Sequence, residues 1–298
     1  MNSIPLVSIC LPNLNTRPFL EARMESILAQ TLPDWELIVC DSYSDDGAWE
    51  YFQRFKGDPR VQLHQVAREG LYAGWNECLR RARGEFVYIA PGDDTAEPKL
   101  LESLVAALKA NPDADLAVCG FEFIDETGRI MRPPPRGTAG EFYGAWLEVA
   151  HRRNRFLEFL VHTVVDISWT TMTAVLFRAS LLAKTGLFRT DCGAFADKFW
   201  AMRSALFTDT VFIPEKLATW RQHHAQGSSR QTAAESRRLV AQTSQTIEEC
   251  EALVTRNPIF IKRFKDVGVM SKADALSWGW VGPALPGGRG PGPAPGPI

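Results

Sequence analysis

The chain has 298 residues, of which 45% are hydrophobic and 23% charged, an ordinary composition for a globular protein with ample material for a core. Its formal net charge of −2 supplies no broad basic surface, which excludes nucleic acid as a partner and means that any phosphate must be bound locally. The six cysteines form no CxxC pair, which argues against a zinc site, and no run approaches the about 20 apolar residues of a membrane span.

The first part of the chain alternates short apolar runs with stretches of helical periodicity. The runs predict strands at residues 6–11, 36–40, 61–66, 86–90 and 116–123. Between them, apolar residues recur on one face of predicted helices, the first of which Thr16 could cap. This alternation predicts an α/β fold with a mostly parallel sheet covered by helices on both sides.

The pattern changes after a hairpin-like turn at residues 125–128. We expect a loop at the prolines 133–135, an aromatic-rich helix over 156–164, a strand at 174–177 and a short helix ending at Gly186. A helix over 197–206 and a short strand at 211–213 follow, then an amphipathic helix over 236–254 and a disordered Gly/Pro-rich tail at 282–298. The predicted organisation is a catalytic domain at 1–225, divided at 125/126 into a nucleotide-binding and an acceptor-binding part, a helical extension at 226–281 and the tail.

Acidic residues stand where a parallel sheet would bind its ligand, beyond the carboxyl ends of the strands. Asp41 follows the second strand, the pair Asp93 and Asp94 follows the fourth, and Asp197 begins a helix. Asp is also a common turn and cap residue, so each single position has a structural alternative. Two adjacent like charges repel unless they are solvated or bridged by a cation, and Mg²⁺ or Mn²⁺ would suit such oxygen ligands.

Four segments together resemble the family-two inverting glycosyltransferases, which have the GT-A fold. The segments are VSICLPNLN at 7–15, ELIVCDSYSDDG at 36–47, EGLYAGWN at 69–76 and GEFVYIAPGDD at 84–94. A further match runs from Gly186 through Asp197 to His223. Each motif alone is weak, and their order and spacing make the resemblance specific.

The resemblance implies roles for individual residues. Asp41 would accept a hydrogen bond from the nucleobase, Asp93 would meet the ribose, Asp94 would hold a divalent cation together with His223, and Asp197 would be the general base. Arg221 would face the donor diphosphate, and the family's further Asp two places before Asp93 is replaced by Pro91. The remaining expected contacts to the nucleotide sugar are Pro12, Asn13, Asn15, Arg17, Arg68, Gly70 and Asn76.

Other classes of protein fit less well. The stretch after the first strand lacks the Gly-rich loop of a Rossmann dehydrogenase, a P-loop enzyme or a nucleotidyltransferase. A catalytically inactive GT-A domain that binds nucleotide sugar or acts as a scaffold stays open, because Pro91 and Ala196 depart from the family pattern. Should Asp197 only serve as a helix cap, the base would be sought among Asp166, Asp191 and Glu215.

The expected partners are a nucleotide-diphosphate sugar, a divalent Mn or Mg ion and a carbohydrate or lipid-linked acceptor. Trp169 could stack on an acceptor sugar, although a core position is the commoner use of such a residue. A cytoplasmic location is expected, with peripheral contact at the inner face of a membrane left open.

Overall fold

A computed structural model describes residues 4–132, 142–164 and 167–224 of the chain. An eight-stranded sheet forms its centre, with the strand order β3-β2-β1-β4-β7-β5-β8-β6. The strands are β1 Val7–Asn13, β2 Trp35–Asp41, β3 Val61–Gln65, β4 Phe86–Ile89, β5 Leu116–Ile124, β6 His151–Arg153, β7 Val175–Arg178 and β8 Thr210–Arg221.

α-Helices alternate with these strands in the described part of the chain, which also contains short 3₁₀ helices. The α-helices are α1 Leu20–Leu28, α2 Ala48–Phe52, α3 Leu71–Arg81, α4 Leu100–Ala110, α5 Arg155–Val164, α6 Leu181–Thr185 and α7 Ala196–Ser204. Among the described helices, none combines the length and apolarity that a membrane crossing requires.

The central strands are buried along their whole length because both faces of the sheet are covered. Every residue of β1, β2 and β4 is buried, which is the pattern of parallel strands between two helical layers. The core includes Ile9, Leu37 and Tyr88 of these strands and Leu104 of α4. Cys10, Cys40 and Cys119 are buried thiols, as their apolar surroundings in the sequence predict.

The direction of the strands determines where a ligand could bind. β1 runs parallel to β2 and β4, whereas β7 is antiparallel to both β4 and β5. β5 in turn runs parallel to β8. Since two reversals restore the original direction, the carboxyl ends of β1, β2, β4, β5 and β8 lie at one edge of the sheet.

The predicted α/β fold with a mostly parallel sheet is confirmed, whereas one predicted strand has the wrong bounds and one strand was missed. The last strand spans Thr210–Arg221 rather than 211–213, because a break in its register with β5 near Gly120 accommodates Pro214. The edge strand His151–Arg153 was missed, since its charged residues carry no apolar alternation. The predicted helix at 236–254, the tail, the loop at 133–135 and the boundaries after 225 and 281 lie outside the described residues.

Candidate active site

Asp41, Asp93 and Asp94 lie at the common carboxyl edge of the sheet, whereas Asp197 lies in the first turn of the helix α7. Asn13 ends β1, Asp41 ends β2 and Arg221 ends β8. The pair Asp93 and Asp94 follows β4 by a few residues. The strand-end rule therefore placed these residues correctly relative to one another.

The ends of β1 and β2 are joined by a buried polar group. Asp41 is 0% exposed, and its Oδ1 accepts hydrogen bonds from Asn13 Nδ2 at 2.6 Å and from Ser44 Oγ at 2.6 Å. Its Oδ2 accepts from the backbone N–H of Ser44 at 2.9 Å. Because the carboxylate is fully buried, a direct hydrogen bond from a nucleobase to Asp41 stays a prediction.

The loops outside this group carry several of the other predicted nucleotide contacts. Asn15 has a positive φ of 54° and donates from Nδ2 to Asp45 Oδ1 at 2.8 Å. The backbone N–H of Arg17 donates to Asp46, and its guanidinium lies 4.4 Å from the centre of the Tyr51 ring. These bonds connect the loop after β1 to the loop after β2.

Arg68 and Gly70 lie on the far side of the loop after β2. Arg68 donates from Nη2 to the carbonyl of Tyr43 at 2.7 Å, and nearly half of its side chain is exposed. Gly70, with a φ of 103°, immediately precedes α3, a backbone geometry that glycine adopts without strain. Arg68 is thus held at the edge of the sheet with part of its charge facing solvent.

The turn that carries the two acids packs directly against the end of β1. A Cβ atom on Gly92 would collide with the Thr16 side chain and lie 3.3 Å from Asn13 Oδ1, so glycine permits this close approach. Thr16 itself makes no capping bond to the following helical turn, contrary to prediction, because its hydroxyl donates to Asn13 Oδ1. Asn13 therefore lies between the Asp41 group and the turn of Asp93.

Asp94 is buried and its hydrogen bonds are made within the protein. It is 2% exposed, and its Oδ1 accepts the backbone N–H of Arg221 at 2.8 Å. Its Oδ2 accepts the hydroxyls of Thr173 at 2.6 Å and Thr171 at 3.2 Å. Burial, reinforced by the charge of Asp93, raises the pKa of Asp94 to about 7. Asp94 is thus enclosed by protein donors, and its expected role as a cation ligand stays a prediction.

Asp93 has the more accessible carboxylate of the pair. Its side chain is 20% exposed, and its Oδ2 lies 3.0 Å from Nε2 of His223. The expected partnership of His223 with a cation-binding Asp therefore has a geometric basis, although with Asp93 rather than Asp94. No group of three or more His, Cys, Asp or Glu within the described part of the chain is arranged to hold a metal.

Arg221 connects the turn that carries Asp93 to the hairpin after β5 through hydrogen bonds. It is 3% exposed and donates from Nε to the carbonyl of Asp93 at 2.6 Å. Its Nη1 donates to the carbonyls of Asp125 at 2.9 Å and Glu126 at 3.1 Å, and burial lowers the pKa of its guanidinium. These bonds are to main-chain carbonyls, so a direct contact with phosphate stays a prediction.

Asp197 lies in the first turn of α7, which packs against α5 and α6. Its Oδ1 accepts the backbone N–H of Lys198 at 2.8 Å, and the residue that precedes the helix is Phe195. Phe195 rather than Asp197 therefore occupies the N-cap position, but the Asp197 carboxylate still accepts an amide of the first turn, so its structural role and its role as a base both stay predictions. Of the other candidate bases, Asp191 is paired with Arg189 at 2.8 Å, Glu215 is exposed on β8 and Asp166 lies outside the described residues.

Three further residues named from the sequence lie in packed surroundings. Asn76 is buried and donates to the carbonyl of Phe188 at 2.8 Å while accepting the Phe188 N–H at 3.0 Å. Pro12 is buried within β1, and Trp169 is 3% exposed and stacks edge-on against His162, which favours the core alternative. The structure thus gives Asn76 a packing role, and donor contacts by Asn76 or Pro12 stay predictions.

Thr171 and Thr173 were missed by the analysis of the sequence. They hold Asp94 from a turn just before β7, 77 and 79 residues further along the chain. Hydroxyl residues are common in turns, so no local pattern marks these two as ligands of a distant carboxylate.

Arg221 also lines a cavity of about 470 Å³. Residues from α1, β5, β8 and the hairpin turn line it, including Ala22, Ile124, Gly128 and Thr219. Asn13, Asp41 and Asp93 do not line this cavity, so it is separate from the acidic group.

Comparison with known proteins places these features in a family context. The model of the family described as Glycosyl transferase family 2 matches residues 8–180, more than half of the chain. A model described as Respiratory-chain NADH dehydrogenase, 49 Kd subunit, matches residues 225–292, a smaller part outside the described residues.

A bacterial relative supports the match to glycosyl transferase family 2. The chain is 33% identical over 132 residues to the uncharacterized glycosyltransferase EpsJ of Bacillus subtilis, a match that covers 44% of this chain and 38% of EpsJ. The chain thus spans well under half the length of that relative.

Solved structures show that the fold is GT-A. The S. aureus TarS 1-349 structure in complex with UDP-GlcNAc is similar with a TM-score of 0.61 at 16% identity, covering 92% of this chain and 76% of that one. The mannosyltransferase PcManGT from Pyrobaculum calidifontis, in complex with GDP-Man and Mn2+, has a TM-score of 0.55 at 21% identity, covering 93% and 80% of the two chains.

The buried carboxyl group of Asp94 predicts a pH dependence of stability. Its pKa is about 7 in the folded protein against an ordinary value of 3.8, so its favourable contribution is lost as pH rises between these values. Asp94→Asn removes the titration and keeps an oxygen for the Arg221 N–H. Thermal melts in EDTA at about pH 4.5 and about pH 8 should show the variant gaining at least about 1 kcal/mol on the wild type at the higher pH, or about 2–4 °C. A difference between the two proteins that does not change with pH would contradict this.

Proposed function

Because the chain belongs to glycosyl transferase family 2, we propose that it transfers one sugar from a nucleotide-diphosphate sugar to the hydroxyl of an acceptor, with inversion at the sugar carbon. The observation that carries this proposal is the meeting of Asp93 and His223 beside the Asn13 and Asp41 group at one sheet edge. An edge of this kind can bind the nucleoside part of a nucleotide at one end and its phosphates at the other.

The nucleoside would lie over the ends of β1 and β2. Asn13, Ser44 and Asp41 supply donors and acceptors there, and the partly exposed guanidinium of Arg68 lies on the neighbouring loop. Arg68 is the cation best placed to approach a phosphate, since Arg221 is occupied by main-chain carbonyls. These polar groups would orient the donor, and their pattern does not by itself select one nucleobase.

The residues at the edge suit a divalent cation. Asp93 Oδ2 and His223 Nε2 are 3.0 Å apart, a carboxylate and an imidazole whose donor atoms suit Mn²⁺, with the diphosphate oxygens completing the shell. When bound, such an ion supplies positive charge to the departing diphosphate. Asp94 would act indirectly, since its bonds to Thr171, Thr173 and Arg221 fix the turn from which Asp93 projects.

Asp197 would be the general base. In the transfer, the acceptor oxygen forms a bond to the sugar carbon as the bond from that carbon to the diphosphate oxygen breaks. The hydroxyl proton passes to the Asp197 carboxylate, and the nucleoside diphosphate leaves with the electron pair. A base on the face opposite the diphosphate gives inversion.

The donor and cation assignments are tested by nucleotide release. Purified protein is incubated with UDP-GlcNAc, UDP-glucose or GDP-mannose, with Mn²⁺ or EDTA, and free nucleoside diphosphate is measured. We expect Mn²⁺-dependent release of UDP or GDP, and Asp93→Asn should lower it by about a hundredfold or more because a ligand charge is lost at constant volume. Asp58→Asn, which removes a surface carboxylate paired with Arg60, should behave as wild type. Binding of these nucleotides without turnover in any mixture would favour the inactive binding module instead.

The base assignment is tested by Asp197→Asn. The amide keeps an oxygen to accept the Lys198 N–H, so the variant should melt close to wild type and bind the donor normally. It cannot accept the hydroxyl proton, and transfer should slow by about 10²–10⁴-fold. Transfer at the wild-type rate would remove Asp197 from the mechanism.

A further inference from the structure

Tyr43 is an exposed aromatic residue in a backbone conformation that bulky side chains rarely adopt. It lies two residues after Asp41, in the loop that follows β2, and its φ is 51°. This left-handed region costs free energy for a bulky residue, whereas glycine and asparagine adopt it readily. The residue is 57% exposed, while Ser42 before it is 6% exposed. An exposed ring at a strained position points to a use other than packing.

Hydrogen bonds and packing hold the backbone of Tyr43 in this conformation. Its carbonyl accepts Arg68 Nη2 at 2.7 Å, and Arg68 Nε donates to the carbonyl of Ser42 at 3.2 Å. The Ser42 N–H donates to the carbonyl of Asn13 at 2.8 Å. Towards α3, a Cβ atom on Gly74 would lie 3.5 Å from Ser42 Oγ, so the loop packs closely against that helix. The loop is therefore fixed on these sides, and the ring of Tyr43 stays at the surface.

The polar group at the ends of β1 and β2 lies directly beside Tyr43 in the chain. Asn13 Nδ2 donates to Asp41 Oδ1 at 2.6 Å and to Ser44 Oγ at 3.0 Å. The backbone N–H of Ser44, the residue after Tyr43, donates to Asp41 Oδ2 at 2.9 Å. A nucleobase has a polar edge and an aromatic face, so it is bound best where hydrogen-bonding groups and an aromatic ring are neighbours.

We propose that Tyr43 stacks on the nucleobase of the sugar donor and binds its aromatic face. This inference rests on the proposed function, in which the nucleoside lies over the ends of β1 and β2. Stacking uses the π-face that every base has, so the contact strengthens binding of a uracil or a guanine nucleotide without selecting between them. Because the backbone of Tyr43 is already held by Arg68, less conformational freedom is lost when the donor binds.

The test measures the Kd of UDP and of GDP, each with Mn²⁺, by titration calorimetry on the full chain. Tyr43→Asn removes the ring and suits the positive φ, so it should melt at or above the wild-type temperature and weaken the Kd about tenfold or more. Tyr43→Phe keeps the ring and should bind as the wild type does. As the control, Phe142→Asn removes a ring that is 49% exposed in another part of the chain, and it should not change the Kd.

Inorganic pyrophosphate with Mn²⁺ separates stacking from a general disturbance of the loop. It carries no base, so Tyr43→Asn should bind it as the wild type does. Equal losses for the nucleotide and for pyrophosphate would overturn the inference, as would an unchanged Kd for both nucleotides in Tyr43→Asn. A lower melting temperature in Tyr43→Asn would show that the ring packs against the protein, and would overturn it as well.

The same measurements separate this inference from the proposed function. Wild-type protein that binds UDP or GDP while Tyr43→Asn binds it equally well would reject the stacking contact and leave the proposed function in place. Wild-type protein that binds neither nucleotide would reject both.

Discussion

Asp94 is a carboxyl group withdrawn from water and bonded to two distant parts of the chain, and the candidate active site is assembled around it. Burying a charge is costly unless hydrogen bonds replace its hydration. Thr171 and Thr173 from the turn before β7 and the N–H of Arg221 at the end of β8 provide that replacement. Each of these elements is therefore tied to the loop after β4, and the edge of the sheet acquires a defined shape before any donor binds.

Because Asp94 is buried and Asp93 is partly exposed, the two adjacent carboxyl groups have different environments. Burial and the neighbouring charge of Asp93 raise the pKa of Asp94, so Asp94 holds a proton more readily than an exposed carboxyl group does, while the Asp93 carboxylate lies beside His223. Arg221 also stabilises this turn, because its guanidinium donates hydrogen bonds both to the main-chain carbonyl of Asp93 and to that of Asp125 in the hairpin after β5. Asp93 is therefore the carboxylate of the pair that could bind a cation.

Much of this architecture could be predicted from the sequence, and the limits have physical causes. The first five strands were found because strands covered on both faces are mostly apolar, and the few buried polar residues of β1 and β2, such as Ser8 and Glu36, do not hide that pattern. The strand-end rule then located Asp41 and Asp93. The local sequence could not predict which of Asp93 and Asp94 is buried. The burial of Asp94 depends on hydroxyl groups that lie 77 and 79 residues away along the chain.

The most direct test of this account is a crystal structure of the protein soaked with Mn²⁺ and either UDP or GDP, with the metal located by its anomalous scattering. The account predicts one Mn²⁺ peak within bonding distance of the Asp93 carboxylate and of the nucleotide phosphates, with the nucleoside over the ends of β1 and β2 and Asp94 still bonded to Thr173. A peak bonded to Asp94 in place of Asp93, or a nucleotide seated in the cavity beside Gly128 and Thr219, would contradict it.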